Sequence, residues 1–303
     1  MKQTLIIISF FLTLNLLGQN LIEKVGEIEV QFIGHNYKLN SNDKLTKKKT
    51  NRKNRPYLNM YFDSSGTLLK AISFGKHHNT DLRLLNDIKI YSYDRNGIKL
   101  KVDIWETDYE KNLSNKYFIT FDLDSTKSKI ISEKMYKVET DSIFIQTDYW
   151  YNKDGQYQGI IYDSSYYYKR EYNEKGKLET LQQIFDGKLR WKLDYTYKNC
   201  QRIGIFQTYY NDGKDYSTKE IQTYNNQGLL IETKEVHTSK DGIDEKTKIY
   251  YGDNGVIKRI KYYELYNTKE GYELISHSDI KVNSKLKIDS RTAERINELI
   301  NIK

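Results

Sequence analysis

Between residues 57 and 288, apolar and polar side chains trade places at every second position. Ile98, Leu100, Val102 and Ile104 alternate with Lys99, Lys101 and Asp103. Ile143, Ile145, Thr147, Tyr149 and Tyr151 alternate with Phe144, Gln146, Asp148 and Trp150. Leu189, Trp191, Leu193, Tyr195 and Tyr197 alternate with Lys188, Arg190, Lys192, Asp194, Thr196 and Lys198. Successive side chains of a strand point to opposite faces, so this period of two predicts strands with one buried face and one wet face. Helical spacing is confined to 289–303, where Ala293, Ile296, Leu299 and Ile300 share a face behind the capping candidates Asp289 and Ser290. That helix is expected to cover a sheet end.

A seven-residue pattern separates the strands: aromatic, Asp or Asn, two variable residues, Gly, one variable residue, aliphatic. It reads FDSSGTL at 62–68, YDRNGIK at 93–99, YNKDGQY at 151–157, YNEKGKL at 172–178, YNNQGLL at 224–230 and YGDNGVI at 251–257. The Asp or Asn side chain can bond the backbone two residues on, which starts a type I turn. The Gly supplies the positive φ that a type I turn with a G1 bulge requires. Each copy therefore predicts a hairpin, with its aromatic ending one strand and its aliphatic opening the next. Gly252 replaces the Asp or Asn in the last copy, and Lys99 and Tyr157 replace the final aliphatic in two others. The glycine spacings are 31, 58, 21, 52 and 27. The two long spacings contain decayed copies near 121–128 and 197–203.

These copies, YNEKGKLETL at 172–181 and YSYDRNGIKL at 91–100 above all, resemble the YD repeats of Rhs-like bacterial surface proteins. The resemblance covers roughly residues 57–265. Large members of that family wrap many repeats into a shell around a toxic C-terminal domain; six to eight copies are too few for such a shell. The resemblance implies an extracytoplasmic β-scaffold or binding surface and supplies no catalytic residues. The predicted fold is all-β: a repetitive antiparallel meander of stacked hairpins in a single curved or curled sheet, with a short C-terminal helix.

The ends of the chain refine the division. Residues 1–18 read as a secretory signal peptide, with Lys2 ahead of an apolar stretch from Leu5 to Leu17 and cleavage expected near Gly18/Gln19. Thirteen residues interrupted by Thr13 and Asn15 are short for a membrane span, and no lipoprotein cysteine marks the boundary. The Gly-Gln junction and the composition resemble secreted proteins of Bacteroidota, so a secreted or periplasmic protein is expected. Residues 19–38 hold a first strand at 27–33. Residues 39–56 read as a basic flexible linker or loop, 57–288 as the repeat domain and 289–303 as the helix.

Composition changes the picture in two ways. With 28 tyrosines and many lysines, the chain lacks aliphatics for a thick oily core; Tyr rings and Lys stems are expected to cover an elongated sheet instead. The net charge of +8 is concentrated. Lys44, Lys47, Lys48, Lys49, Arg52, Lys53 and Arg55, against Asp43 alone, give 39–56 a charge of +6. The rest is nearly balanced, so no basic stripe for nucleic acid runs along the repeats. The segment Lys44–Arg55 is a candidate for electrostatic contact with an acidic envelope surface.

Catalytic signatures are absent: no zinc HExxH, no GxSxG elbow, no Walker or dinucleotide loop. Of the five histidines, only His77 and His78, with Asp81, cluster in sequence, and neighbours in a strand diverge. No metal or cofactor is expected, nor turnover. Trp105, Phe118, Phe144 and Trp150 follow the phase of the polar positions. Aromatics on a wet face stack on sugars or anchor proteins, so these four are the candidate ligand-binding residues. The expected role is recognition of an envelope glycan or protein partner through the sheet surface. Neutralising a secreted toxin, or hydrolysing glycans with a carboxylate pair, are the alternatives.

Overall fold

The computed structural model describes residues 25–39, 45–49, 56–76, 83–108, 112–162, 165–199, 201–210, 216–237, 244–267 and 271–300. Residues 1–18, read from the sequence as a signal peptide, lie outside them, as do His77, His78 and Cys200. Nineteen strands follow in chain order: β1 (Ile28–Leu39), β2 (Leu45–Lys49), β3 (Leu58–Phe62), β4 (Leu68–Lys76), β5 (Arg83–Tyr93), β6 (Lys99–Thr107), β7 (Leu113–Leu123), β8 (Ile130–Lys137), β9 (Ser142–Tyr151), β10 (Tyr157–Ile161), β11 (Tyr166–Tyr172), β12 (Leu178–Phe185), β13 (Lys188–Lys198), β14 (Gln201–Tyr209), β15 (Tyr216–Tyr224), β16 (Leu230–His237), β17 (Glu245–Tyr251), β18 (Ile257–Asn267) and β19 (Gly271–Ser284). One helix, α1 (Ser290–Ile300), closes the described chain.

From β3 to β19 each strand pairs antiparallel with the next. β1 then pairs with β19 on one side (Val30 opposite Val282) and β3 on the other (Val30 opposite Met60). The meander is therefore not an open curled sheet. β1 and β3–β19 close into an 18-stranded barrel, whose ring leaves no strand edge for the helix to cover. Part of the basic segment is also ordered into the sheet, because β2 pairs with the end of β1 (Tyr37 opposite Lys49).

Every copy of the repeat makes the predicted turn. The Asp63 carboxylate accepts the backbone N–H of Ser65 and of Thr67, both at 2.9 Å. Asp94, Asn173 and Asn225 do the same for the residues two and four further on. Gly176 sits at φ 73°, the left-handed region where a Cβ is strained. The first decayed copy keeps the turn with Lys127 at φ 55° in the glycine's place, whereas the second keeps only the chain reversal, with Lys198 opposite Gln201 and Asn199 at φ 48°. At the first of these, the Asp124 carboxyl is held at a pKa of about 2, mainly by the Thr126 hydroxyl and by the Ser128 and Lys129 amides. All these turns join an odd-numbered strand to the following even one, so all lie on one rim.

The repeat's tyrosine has a second task. Tyr93, Tyr151, Tyr172, Tyr197 and Tyr251 each donate their hydroxyl to a carbonyl of the preceding hairpin: Leu68, Ile130, Tyr157, Leu178 and Leu230 respectively. In four of the five, the acceptor is the last residue of the preceding repeat copy. Lys129 and Lys177 lie over the rings of Tyr151 and Tyr197, 5.3 and 5.2 Å from the centroids. A chain of side-chain straps thus binds turn to turn around the rim. Burial and neighbouring charge push the Tyr93 hydroxyl up to about 12, so it stays a donor at neutral pH.

The core is local to the closing seam. Ile28, Val30, Phe32, Met60, Phe62, Ile257, Ile260 and Ile280 form one buried cluster with Ala293 and Ile296 of α1. Contributions to this cluster run from Leu230 of β16, through the seam, to Tyr91 of β5. Eight strands thus contribute to the one face of the sheet that carries α1, the helix face. Asp289 caps α1 through the Thr292 amide at 2.7 Å. Arg295 donates to the Ser65 carbonyl, while Asn297 donates to Gly255 and accepts from the Ile257 amide. The helix clasps the first and last repeat turns together across the seam.

Tyr251→Phe removes a hydroxyl but keeps the ring, leaving the Leu230 carbonyl without that donor. The expected cost is about 0.5–1.5 kcal/mol in urea unfolding, with Tyr197→Phe costing a similar amount. Because the two straps are distant, their losses should add.

Candidate functional site

Strand register sorts the residues of the ring into the helix face and the opposite face. Mid-strand charges on the opposite face pair up around the barrel: Lys101 with Asp103 (2.7 Å), Lys134 with Asp122 (2.6 Å), Lys169 with Glu171 (2.8 Å) and Lys192 with Asp194 (2.7 Å). All are partly exposed, so each contributes at most about 1 kcal/mol. Their weight is chemical: they keep this face wet.

The four sequence-predicted aromatics do not form one site. Phe118 stacks on Tyr136 at 4.8 Å, with the Lys101 ammonium 5.1 Å from its centroid. Trp105 packs against the buried cluster of Tyr61, Ile72 and Ile88. Trp150 stands opposite Gly159 and is half-buried. Phe144 leaves this set. A register shift pairs Ile145 with Met135 and Ile143 with Tyr136, so Phe144 is the extra residue between them. Its ring stacks on Tyr117 at 5.8 Å under Lys137, and it is 52% exposed. The alternation that placed it with Trp150 fails at this bulge.

A larger aromatic group lies on the helix face of β8–β13. Tyr149 and Tyr157 pack with ring centroids 6.0 Å apart, and Tyr162, Tyr166, Tyr168 and Trp191 form a second run with successive centroids 5.0–5.6 Å apart. Polar groups are threaded through it. The Gln183 amide donates to the hydroxyls of Tyr166 (2.8 Å) and Tyr168 (3.0 Å), which also bond each other at 2.7 Å. Tyr149 donates to the Glu133 carboxylate at 3.0 Å, and the Arg170 guanidinium lies 4.5 Å from the Tyr157 centroid. Burial pushes the Tyr157 and Tyr168 hydroxyls up to about 12 and raises Tyr149 too, with the nearby Glu133 charge adding to it. At neutral pH the wall therefore offers neutral hydroxyls, a carboxamide, a carboxylate and a guanidinium between ring faces. This combination binds polyhydroxylated molecules, whose C–H faces lie on rings while their hydroxyls exchange hydrogen bonds. The tyrosine run at 166–168 was visible in the sequence, but the convergence of four strands on it was not.

A third group sits at the seam. His35 of β1 lies directly opposite His277 of β19, and the rings stack with centroids 4.4 Å apart. Both are buried, at 2% and 4% exposure. Asp279, two residues along the same strand, holds Arg259 through Oδ1. Burial raises its carboxyl, but the Arg259 hydrogen bond and charge and the two imidazoles outweigh that and hold it below the ordinary carboxylate value. The sequence pairing of His77 with His78 pointed elsewhere.

No family model matches the chain, and no curated protein matches it. Among solved structures, a porin-like protein from Bacteroides uniformis is similar at 10% identity and a TM-score of 0.40, over 86% of this chain and 97% of that one. The TcdB2-TccC3-Cdc42 complex is similar at 12% identity and a TM-score of 0.36. The match covers 74% of this chain and 14% of that chain. The Photorhabdus luminescens Tc holotoxin pore is similar at 12% identity and 0.35, over 68% and 14%.

Gly159 of β10, opposite Trp150 and Lys169 on the face of β9–β11 away from the aromatic wall, has no room for a side chain. A Cβ there would lie 2.0 Å from the Tyr168 carbonyl oxygen and 2.4 Å from Trp150 Nε1. Gly159→Ala should cost about 1–3 kcal/mol in chemical denaturation and shift the tryptophan emission, because β10 and β11 must part.

Proposed function

We propose that the protein is an extracytoplasmic, water-borne barrel of YD-repeat type that binds an envelope carbohydrate on the aromatic wall of its helix face and does not turn it over. The observation that carries this reading is an aromatic wall made of the Tyr149–Tyr157 pair and the Tyr162–Tyr166–Tyr168–Trp191 run, interleaved with Gln183, Glu133 and Arg170. The extracytoplasmic assignment rests on the signal-like residues 1–18. Both faces of the ring carry charge in mid-strand: Lys101, Asp103, Lys134 and Lys192 on one, Lys89, Glu133, Arg170 and Glu220 on the other. A lipid-embedded barrel needs an uninterrupted apolar band on its outer face, and these charges interrupt both. The sheet surface still recognises the partner, as the repeat resemblance implies, but through the tyrosine wall of the helix face rather than through Trp105, Phe118, Phe144 and Trp150.

A protein partner is the second reading. Ile131, Val138, Ile143, Phe144 and Ile145 are all exposed around the β8–β9 hairpin, and branched aliphatics fit a protein surface better than a sugar.

Titrating the protein with peptidoglycan and lipopolysaccharide oligosaccharides while following tryptophan emission separates the two. Saturable binding that is lost in Tyr166→Ala/Tyr168→Ala and kept in Phe144→Ser is expected. Absence of saturable binding to any of these sugars would contradict the carbohydrate reading.

A further inference from the structure

We infer that His35, His277 and Asp279 form a binding site for a divalent transition-metal ion, zinc foremost, that staples β1 to β19. The inference is independent of the carbohydrate reading. His35 Nε2 and His277 Nε2 approach the same carboxylate oxygen, Asp279 Oδ2, at 3.3 and 3.6 Å. Ligand atoms of the three residues lie within 4.8 Å of one another. With zinc–nitrogen and zinc–oxygen bonds of about 2.0–2.2 Å, the edges of a tetrahedral site measure about 3.3–3.6 Å. The two nitrogen–oxygen separations already have that length.

The donor set suits the ion. Two imidazoles and one carboxylate are a borderline mixture that favours zinc and its neighbours over magnesium or calcium. Three protein ligands leave a fourth position, and the site opens to solvent on the Asp279 side, where that residue is 25% exposed. Arg259 takes the other carboxylate oxygen, which fixes Oδ2 toward the imidazoles as outer-sphere partners commonly do. All four residues sit on paired strands in fixed register: His35 opposite His277, and Arg259 opposite Asp279. The geometry is therefore held by the sheet and not by a loop.

The location gives the ion a consequence. His35 and His277 come from opposite ends of the barrel's chain, and their pairing is part of the β1–β19 contact that, with β1–β3, turns the meander into a ring. An ion bound here crosslinks that closure and should raise resistance to unfolding.

The test uses the untagged full chain and cobalt(II), whose visible absorption reports four-coordinate geometry. One equivalent should produce that absorption, zinc should displace it, and zinc should raise the melting temperature. His277→Gln and Asp279→Asn should each weaken binding at least tenfold, and His77→Gln/His78→Gln should leave it unchanged. A wild-type chain that gives no such absorption and no zinc-dependent shift overturns the proposal, whatever the variants do. So does binding that survives His277→Gln, or that is lost with His77 and His78.

Discussion

The whole barrel depends on one strand pairing on both edges. Without β1, the strands β3–β19 would end in two open edges, each a row of unpaired backbone groups and a template for aggregation. β1 satisfies both at once, with Ile28 placed opposite Phe62 on one side and Ser284 on the other. The chain concentrates its scarce aliphatics at this point. Val30, Phe62, Ile257 and Ile296 are almost completely buried, whereas the strands far from the seam carry tyrosine, threonine and paired charges. A protein with little oil for a core has spent it where failure would open the structure.

Elsewhere the ring is held by repetition. Most turns are self-contained, because an Asp or Asn oxygen gathers its own backbone amides, and five are tied to the preceding hairpin by a tyrosine hydroxyl. No single strap contributes more than about 1.5 kcal/mol, and together they link neighbouring hairpins along the rim. The last copy shows the rule by its exception. Gly252 has no side chain to gather amides; Asn254 takes the Val256 amide and Asn297 of the helix takes that of Ile257. The helix completes the defective repeat and joins it to the first one.

The local half of this was legible in the sequence. Asp63, Asn173 and Gly176 announce their turns, and even the decayed copies at Lys127 and Asn199 keep the chain reversal. What could not be read is what joins distant residues. Nothing near His35 names His277 as its neighbour, and nothing near β1 says that it pairs twice, so a curled sheet and a closed ring look alike in periodicity. The reason for tyrosine in the repeat was hidden too, because its acceptor carbonyl belongs to the previous hairpin. Phe144 failed differently: a single bulged residue breaks strict alternation, and no residue type signals it. Among the candidate aromatics, Trp105 was legible as an alternating position but not as packing against Ile72 and Ile88, which come from neighbouring strands.

Closure itself can be tested with paired cysteines in a Cys200→Ser background. Gln31 faces Asn59 across β1–β3 and Lys281 across β1–β19. Under mild oxidation, Gln31→Cys/Asn59→Cys and Gln31→Cys/Lys281→Cys should both form intramolecular disulfides in the folded chain. If only one of the two pairs closes, β1 has a free edge and the ring is an open sheet.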